Sequence, residues 1–195
     1  MAGKRQRLAD RPAFILDAAD AVLRQGGARA LTIDAVAAAA KLSKGGVLHH
    51  FASKDALVLA LVVRKLEGLR AGIETCEAAL PEGPDRLPRA MLAHARESYA
   101  ADDAFSRALL LASIENPEAL DGYRAFMAER LRALSEADGG RGEGAVLFFA
   151  VLGLMMGRTL GFHELGAAET APMFGAMERV VAGGAPAHER PGERS

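Results

Sequence analysis

Residues 32–59, read from Thr32 to Leu59, leave the chain little choice of local structure. Ile33, Val36, Ala37 and Ala40 recur at helical spacing and make a narrow apolar stripe. Thr32 stands directly before that stripe, where a hydroxyl accepts from an orphan amide of the first turn. Ala35 occupies the place where a full capping box needs Glu or Gln, so the box is incomplete. After a tight turn, Ser43 is placed to cap a second short helix with Val47, Leu48 and Phe51 inward, and Ser53 a third that begins Lys54-Asp55. A short helix, a turn of three or four residues and a second short helix make a helix-turn-helix, whose second helix is presented to the DNA major groove.

The rest of the chain reads as helix throughout. Alanine and leucine dominate, and no segment sustains the alternation that a half-buried strand requires. The first helix is expected from about Pro12 to Gln25, with Gly26-Gly27 as its stop. A long helix should run from Lys54 to Ala79, ending before the Pro81-Glu82-Gly83-Pro84 linker. Further helices are expected over Asp85–Ala100, Ala104–Glu115, Pro117–Glu136, Glu143–His163 and Thr170–Val181, with Asp102-Asp103 as a break. The fold class is therefore all-α, about nine helices. The organisation expected is an arm and helix-turn-helix head over residues 1–55, a helical body over 56–182, and a polar, disordered tail over 183–195.

Charge divides the chain in the same way. Up to residue 70 there are twelve Lys and Arg against six Asp and Glu, a net +6; from residue 71 on there are twelve against nineteen, a net −7. A basic head on an acidic body suits a module that reads nucleic acid through one end. Half the residues are apolar, yet the longest candidate span, Ala145–Leu160, is broken by Gly153, Gly157 and Arg158, and no membrane association is expected. The single cysteine, Cys76, fits a reducing cytoplasm, and no apolar segment follows Lys4, Arg5 and Arg7 to make a secretory signal. There is no GxSxG, no phosphate-cradling glycine loop and no HExxH, so no enzyme is expected, and no cofactor. No HxxxH or CxxC spacing points to a metal; the pair His94 and His163 is weak support for one.

Ala37–Ala40, Ser43-Lys44-Gly45, His49-His50-Phe51 and Ser53-Lys54-Asp55-Ala56-Leu57 together resemble the N-terminal domain of TetR-family transcriptional regulators. Phe14–Ala19, Gly26-Gly27 and Leu31-Thr32-Ile33 fit the family's first helix and its exit, so the resemblance covers residues from about 12 to 66. The chain departs from the family's pattern twice. Lys41 holds the turn position where glycine is usual, and Leu48 stands where many members carry a phosphate-binding tyrosine.

The resemblance implies a double-stranded DNA operator as partner and assigns contacts. Ser43, Lys44, Gly45 and Gly46 form the first turn of the recognition helix, with Lys44 the best contact to a guanine edge or a phosphate. His49 faces DNA and Lys54 corresponds to the family's phosphate-binding lysine; Thr32 offers a further phosphate contact. Lys41 is a candidate phosphate contact or a solvated turn residue, and Arg5 and Arg7 on the arm either enter the minor groove or stay solvated. For His49 and His50 the competing assignment is a packed helix residue.

One head makes too few contacts for specific binding, so a homodimer on a palindromic site is expected. The family's last two helices pair with their partners. Here that face would carry Val146, Phe149, Gly153, Met156, Gly157 and Leu160, with Met173, Phe174, Met177 and Val181 on the neighbouring helix. The resemblance also implies a small-molecule effector, hydrophobic or amphipathic. Tyr99, Phe105, Leu109, Phe126, Met127, Phe148 and Met155 are the lining candidates, each by pattern in the first place an ordinary core residue. His94, Glu115, Asn116, Arg158 and His163 are the polar candidates. The function expected is a cytoplasmic, ligand-responsive regulator, in the first place a repressor; the alternative is a helical ligand-binding or dimerisation protein that has lost DNA binding.

Overall fold

The computed structural model describes residues 11–101, 104–114 and 116–183. The basic arm with Arg5 and Arg7, the Asp102-Asp103 break, Glu115 and the tail from residue 184 lie outside the described residues. Among those described there are nine helices and no strand: α1 (Arg11–Ala30), α2 (Ile33–Ala39), α3 (Lys44–Leu48), α4 (Lys54–Ala78), α5 (Arg86–Ala100), α6 (Ala104–Ser113), α7 (Pro117–Ala137), α8 (Glu143–Thr159) and α9 (Ala167–Val181). They group into two compact units, one of residues up to 70 with 102–127, the other of 71–101 with 128 onward. Residue 55, the expected end of the head, lies in the first turn of α4.

Local chemistry fixes the helix ends of the first unit. Gly27 turns to φ 71°, so regular helix stops at Gly26 and a short turn carries the chain to Ala30. The hydroxyls of Thr32, Ser43 and Ser53 accept from the amides of Ala35, Gly46 and Ala56 at 3.1, 3.0 and 3.0 Å, so all three expected caps form. α2 ends with Lys41 at φ 53°, Lys41 N–H bonding to Ala38 O and Leu42 N–H to Ala37 O. This is the Schellman arrangement, in which glycine is usual because a side chain at positive φ costs about 1 kcal/mol.

Ile15, Leu23, Leu31, Val36, Val47, Leu57, Leu61 and Val62 fill the core of this unit. Each full burial contributes about 1.5–3 kcal/mol. Phe105, Ala108 and Leu109 of α6 complete that core. Asn116, itself buried, caps α7 by accepting from Ala119 N–H at 3.1 Å and donates from Nδ2 to Asp55 O at 2.9 Å. Arg64 ties α4 to α1 through Asp17 Oδ1 at 2.6 Å and Leu16 O at 3.0 Å.

The second unit packs α5, α8 and α9 on Leu92, Ala95, Tyr99, Leu147, Leu154, Phe174 and Met177. Between α7 and α8 the Asp138 carboxylate accepts from Gly140 N–H at 2.8 Å and Gly144 N–H at 2.7 Å, which holds its pKa below the ordinary aspartate value. Gly144 lies so close to α7 that a Cβ would meet Leu134 O at 2.8 Å. α8 is shorter than expected: it ends at Thr159, because Gly161 at φ 76° lets Phe162 N–H bond back to Gly157 O. α9 begins earlier than Thr170, at Ala167, where Glu169 accepts from Gly166 N–H at 2.8 Å.

Candidate nucleic-acid interface

The geometry of α3 follows from its single deeply buried side chain. Val47 has no exposed surface and anchors the helix on the core, with buried Phe51 one turn further on. Five residues cannot bury more than one stripe, so Ser43, Lys44, Gly45, Leu48 and His49 face solvent and Gly46 is half-buried. Leu48, expected inward, is 37% exposed, a correction to the sequence reading. Val47 and Phe51, four residues apart, hold the core, and Leu48 lies 100° round the helix from Val47, on the solvent side. Two other helix starts of the same unit carry exposed candidate contacts. Thr32 is exposed at the start of α2 and keeps a hydroxyl hydrogen to donate while its oxygen caps the helix. Lys54 is exposed in the first turn of α4, beside the amide end that Ser53 caps.

Lys44 is already engaged. Its Nζ lies 3.0 Å from Asp34 Oδ2, in the first turn of α2, with both side chains largely exposed. His49 is exposed and His50 half-buried, the two rings meeting edge to face with centroids 5.2 Å apart. Small residues, hydroxyl donors and two lysines, exposed in this unit, suit contact with a phosphate backbone and base edges.

The residues expected to line an effector site fall into two cores. Phe105 and Leu109 are buried in the first unit, with Phe126 packed against that core. Tyr99 is buried in the second, with Met155 packed against it, and Phe148 is buried on α8. Met127 is half-buried. Asn116 is committed to capping α7, and His94 and His163 are bonded elsewhere. His94 Nε2 lies 3.3 Å from Ser98 Oγ, and His163 Nδ1 lies 3.5 Å from Tyr99 Oη. Arg158 lies over the Tyr99 ring, 4.7 Å from its centroid, and donates to Ala101 O at 2.7 Å. A small cavity of about 70 Å³ in the second unit is lined by Pro84, Pro88, Leu134, Leu147 and Val181, none of them on the expected list of lining residues.

The expected self-association face is partly present on the surface. Val146 and Phe149 are exposed by 64% and 55%, Gly153 is exposed and Met156 half-buried, on one stripe of α8 that Leu160, the C-cap residue, continues at 41% exposure. Three assignments are corrected. Phe174 and Met177 are buried in the second unit's own core, because the inward stripe of α9 packs on α5 and α8; only Met173 points out. Gly157 is covered by His163, whose ring would lie 2.5 Å from an added Cβ, so it does not share an open face with Gly153.

At Cys76 burial first, and then the Glu97 carboxylate, raise the thiol pKa above its ordinary value. Cys76, His94 and Glu97 nevertheless gather three ligand-type side chains that sequence spacing did not bring together. Among the described residues no helix is long and apolar enough to cross a membrane.

Comparison with known proteins agrees with this geometry. The pattern described as "Bacterial regulatory proteins, tetR family" matches residues 15–61, and "Tetracyclin repressor-like, C-terminal domain" matches residues 85–182. No curated protein matches the chain by sequence. Among solved structures, a protein of Pseudomonas aeruginosa PAO1 superposes with a TM-score of 0.72 at 17% identity, over 90% of this chain and 92% of that one. A TetR-family member from Streptomyces coelicolor A3 gives 0.70 at 22% identity, over 88% and 98%. The multidrug binding protein EbrR, complexed with imidazole, gives 0.66 at 23% identity, over 91% and 92%. With a helix-turn-helix head and a body that both match, the chain belongs to the TetR family of DNA-binding transcriptional regulators and is not an enzyme.

Proposed function

We propose that the chain is a cytoplasmic, homodimeric repressor that leaves a palindromic operator when a small hydrophobic or amphipathic effector binds. On this reading residues 1–55 read DNA, 56–182 bind effector and partner, and 183–195 form a tail. The observation that carries it is the division of α3: Val47 locks the helix to the core while Ser43, Lys44, Gly45 and His49 stay open to a duplex. Thr32, Gly46 and Lys54 join them at neighbouring helix starts, where amide ends favour phosphate.

The exposed stripe of Val146, Phe149, Gly153, Met156 and Leu160 supports pairing of two copies, since a monomer rarely leaves aromatic and branched side chains open along one helix. Met173, exposed on α9, is a further candidate for that face, whereas Val181 packs against the second unit's own core. EbrR has been solved with imidazole and with malachite green. Here Arg158 Nη1 is buried without a hydrogen-bond partner, a donor that an acceptor group on an amphipathic effector would satisfy. Tyr99, Phe148 and Met155 supply apolar surface in the same unit.

The test is binding of the full chain to the DNA flanking its own coding region, followed by fluorescence anisotropy against a scrambled duplex, with stoichiometry from sedimentation. The reading predicts tight binding to the native fragment alone, with two protomers per half-site pair, and release by an amphipathic ligand that carries a hydrogen-bond acceptor. Weak binding that ignores sequence would overturn it in favour of a helical ligand-binding or dimerisation protein that no longer uses DNA.

A further inference from the structure

We propose that Cys76, His94 and Glu97 form a zinc site between the last turns of α4 and the middle of α5. Their ligand atoms all lie within 4.8 Å of one another, and Cys76 Sγ is 4.0 Å from Glu97 Oε2. His94 and Glu97 are three residues apart and share one face of α5; Cys76 meets them from the facing helix. Zinc bonds of about 2.0–2.3 Å bring tetrahedral donors to roughly 3.3–3.7 Å from one another. The three groups therefore need draw in by only about an ångström, which side-chain rotation supplies at a half-buried cysteine and an exposed glutamate.

The donor set selects the metal. Thiolate and imidazole exclude magnesium and calcium, which take oxygen, while one sulfur, one nitrogen and one carboxylate suit zinc. Three protein ligands leave the fourth position to water. Binding requires the Cys76 thiol to release its proton, and the cation then balances both the thiolate and the Glu97 carboxylate.

Two independent features hold the histidine for this role. Ser98 Oγ lies 3.3 Å from His94 Nε2, the kind of outer partner that fixes ring orientation and tautomer in metal-binding histidines. Gly72 lies one turn before Cys76 on the same face of α4, and a Cβ there would fall 2.2 Å from His94 Cε1 and 2.6 Å from Nδ1. The absence of a side chain at residue 72 is what admits the imidazole beside the thiol.

Cobalt titration of the full, reduced, metal-free chain tests the site with no reference to DNA, so its failure and that of the regulator reading are distinguishable. One equivalent of Co²⁺ is expected to give a thiolate-to-cobalt charge-transfer band and intense four-coordinate d–d bands, both bleached by Zn²⁺. Cys76→Ser should abolish the charge-transfer band. Glu97→Gln, at an exposed position, and His94→Gln should each weaken cobalt binding at least tenfold, and Gly72→Ala should weaken it by displacing the ring. Circular dichroism melts confirm that each variant folds. Absence of the charge-transfer band at one equivalent, or an affinity unchanged in both Glu97→Gln and His94→Gln, would overturn the proposal.

Discussion

Lys44 Nζ lies 3.0 Å from Asp34 Oδ2, so the lysine best placed to meet DNA is held by a carboxylate on the same exposed surface. Both side chains are well over half exposed, and such a pair contributes at most about 1 kcal/mol. A phosphate competes with Asp34 for the same ammonium, and Asp34 also repels the approaching backbone. Asp34→Asn should therefore tighten operator binding roughly fivefold, about 1 kcal/mol, as measured by anisotropy at fixed salt. Unchanged affinity would mean that Lys44 stays away from DNA.

Leu48 is exposed on that surface in the position where many family members carry a phosphate-binding tyrosine. A leucine there offers no donor. Leu48→Tyr should add about 1 kcal/mol per protomer, roughly fivefold in affinity for each half-site. Because the site is exposed, the thermal midpoint should hardly move. A loss of affinity would place Leu48 in apolar contact with a base instead.

Acid stability should depend on Asp138. Its pKa is lowered in the folded chain, chiefly by the Gly144 amide, so these hydrogen bonds contribute above the unfolded aspartate value of about 4. That contribution is lost as pH falls through the folded value, where protonation removes the charge. Asp138→Asn should lower stability at neutral pH and flatten its decline below pH 4, read from urea midpoints across pH. Parallel curves for the two proteins would show that the carboxylate charge is immaterial.

Phe149 is 55% exposed in the middle of the apolar stripe of α8. A carboxylate there stays solvated in a lone protomer and is forced into a dry surface in a dimer. Phe149→Glu should shift the sedimentation profile from dimer to monomer and weaken operator binding together, with the helical signal retained. A dimer that survives this change would mean that the stripe covers something other than a second copy.

The caps and turns were legible because their causes are local. Thr32, Ser43 and Ser53 each stand directly before an apolar helix, and Gly27 and Lys41 sit where a chain must turn. Facing was less legible. A periodic stripe shows that α9 has an apolar side, but Phe174 and Met177 pack inward because α5 and α8 cover them, which no short window contains. The orientation of Leu48 was lost for a related reason: in five residues, Val47 and Leu48 are equally apolar, and only the position of Phe51 decides between them. Cys76 and His94 lie eighteen residues apart on different helices, so no spacing rule joins them; the short loop after Ala79, which folds α5 back on α4, was the signal available. Gly161, which cuts α8 at Thr159, stands between the apolar residues Leu160 and Phe162, which mask the stop in the sequence pattern.

The central claim is that the exposed face of α3 and the start of α4 meet a phosphate backbone, and its most direct test is the salt dependence of operator binding by the native chain and by Lys54→Ala. Native protein should show log affinity falling steeply against log salt, and Lys54→Ala should reduce the slope by about 0.9 for each lost contact, near 1.8 for a dimer. A shallow slope that Lys54→Ala leaves unchanged would contradict the account and show that this face does not engage DNA.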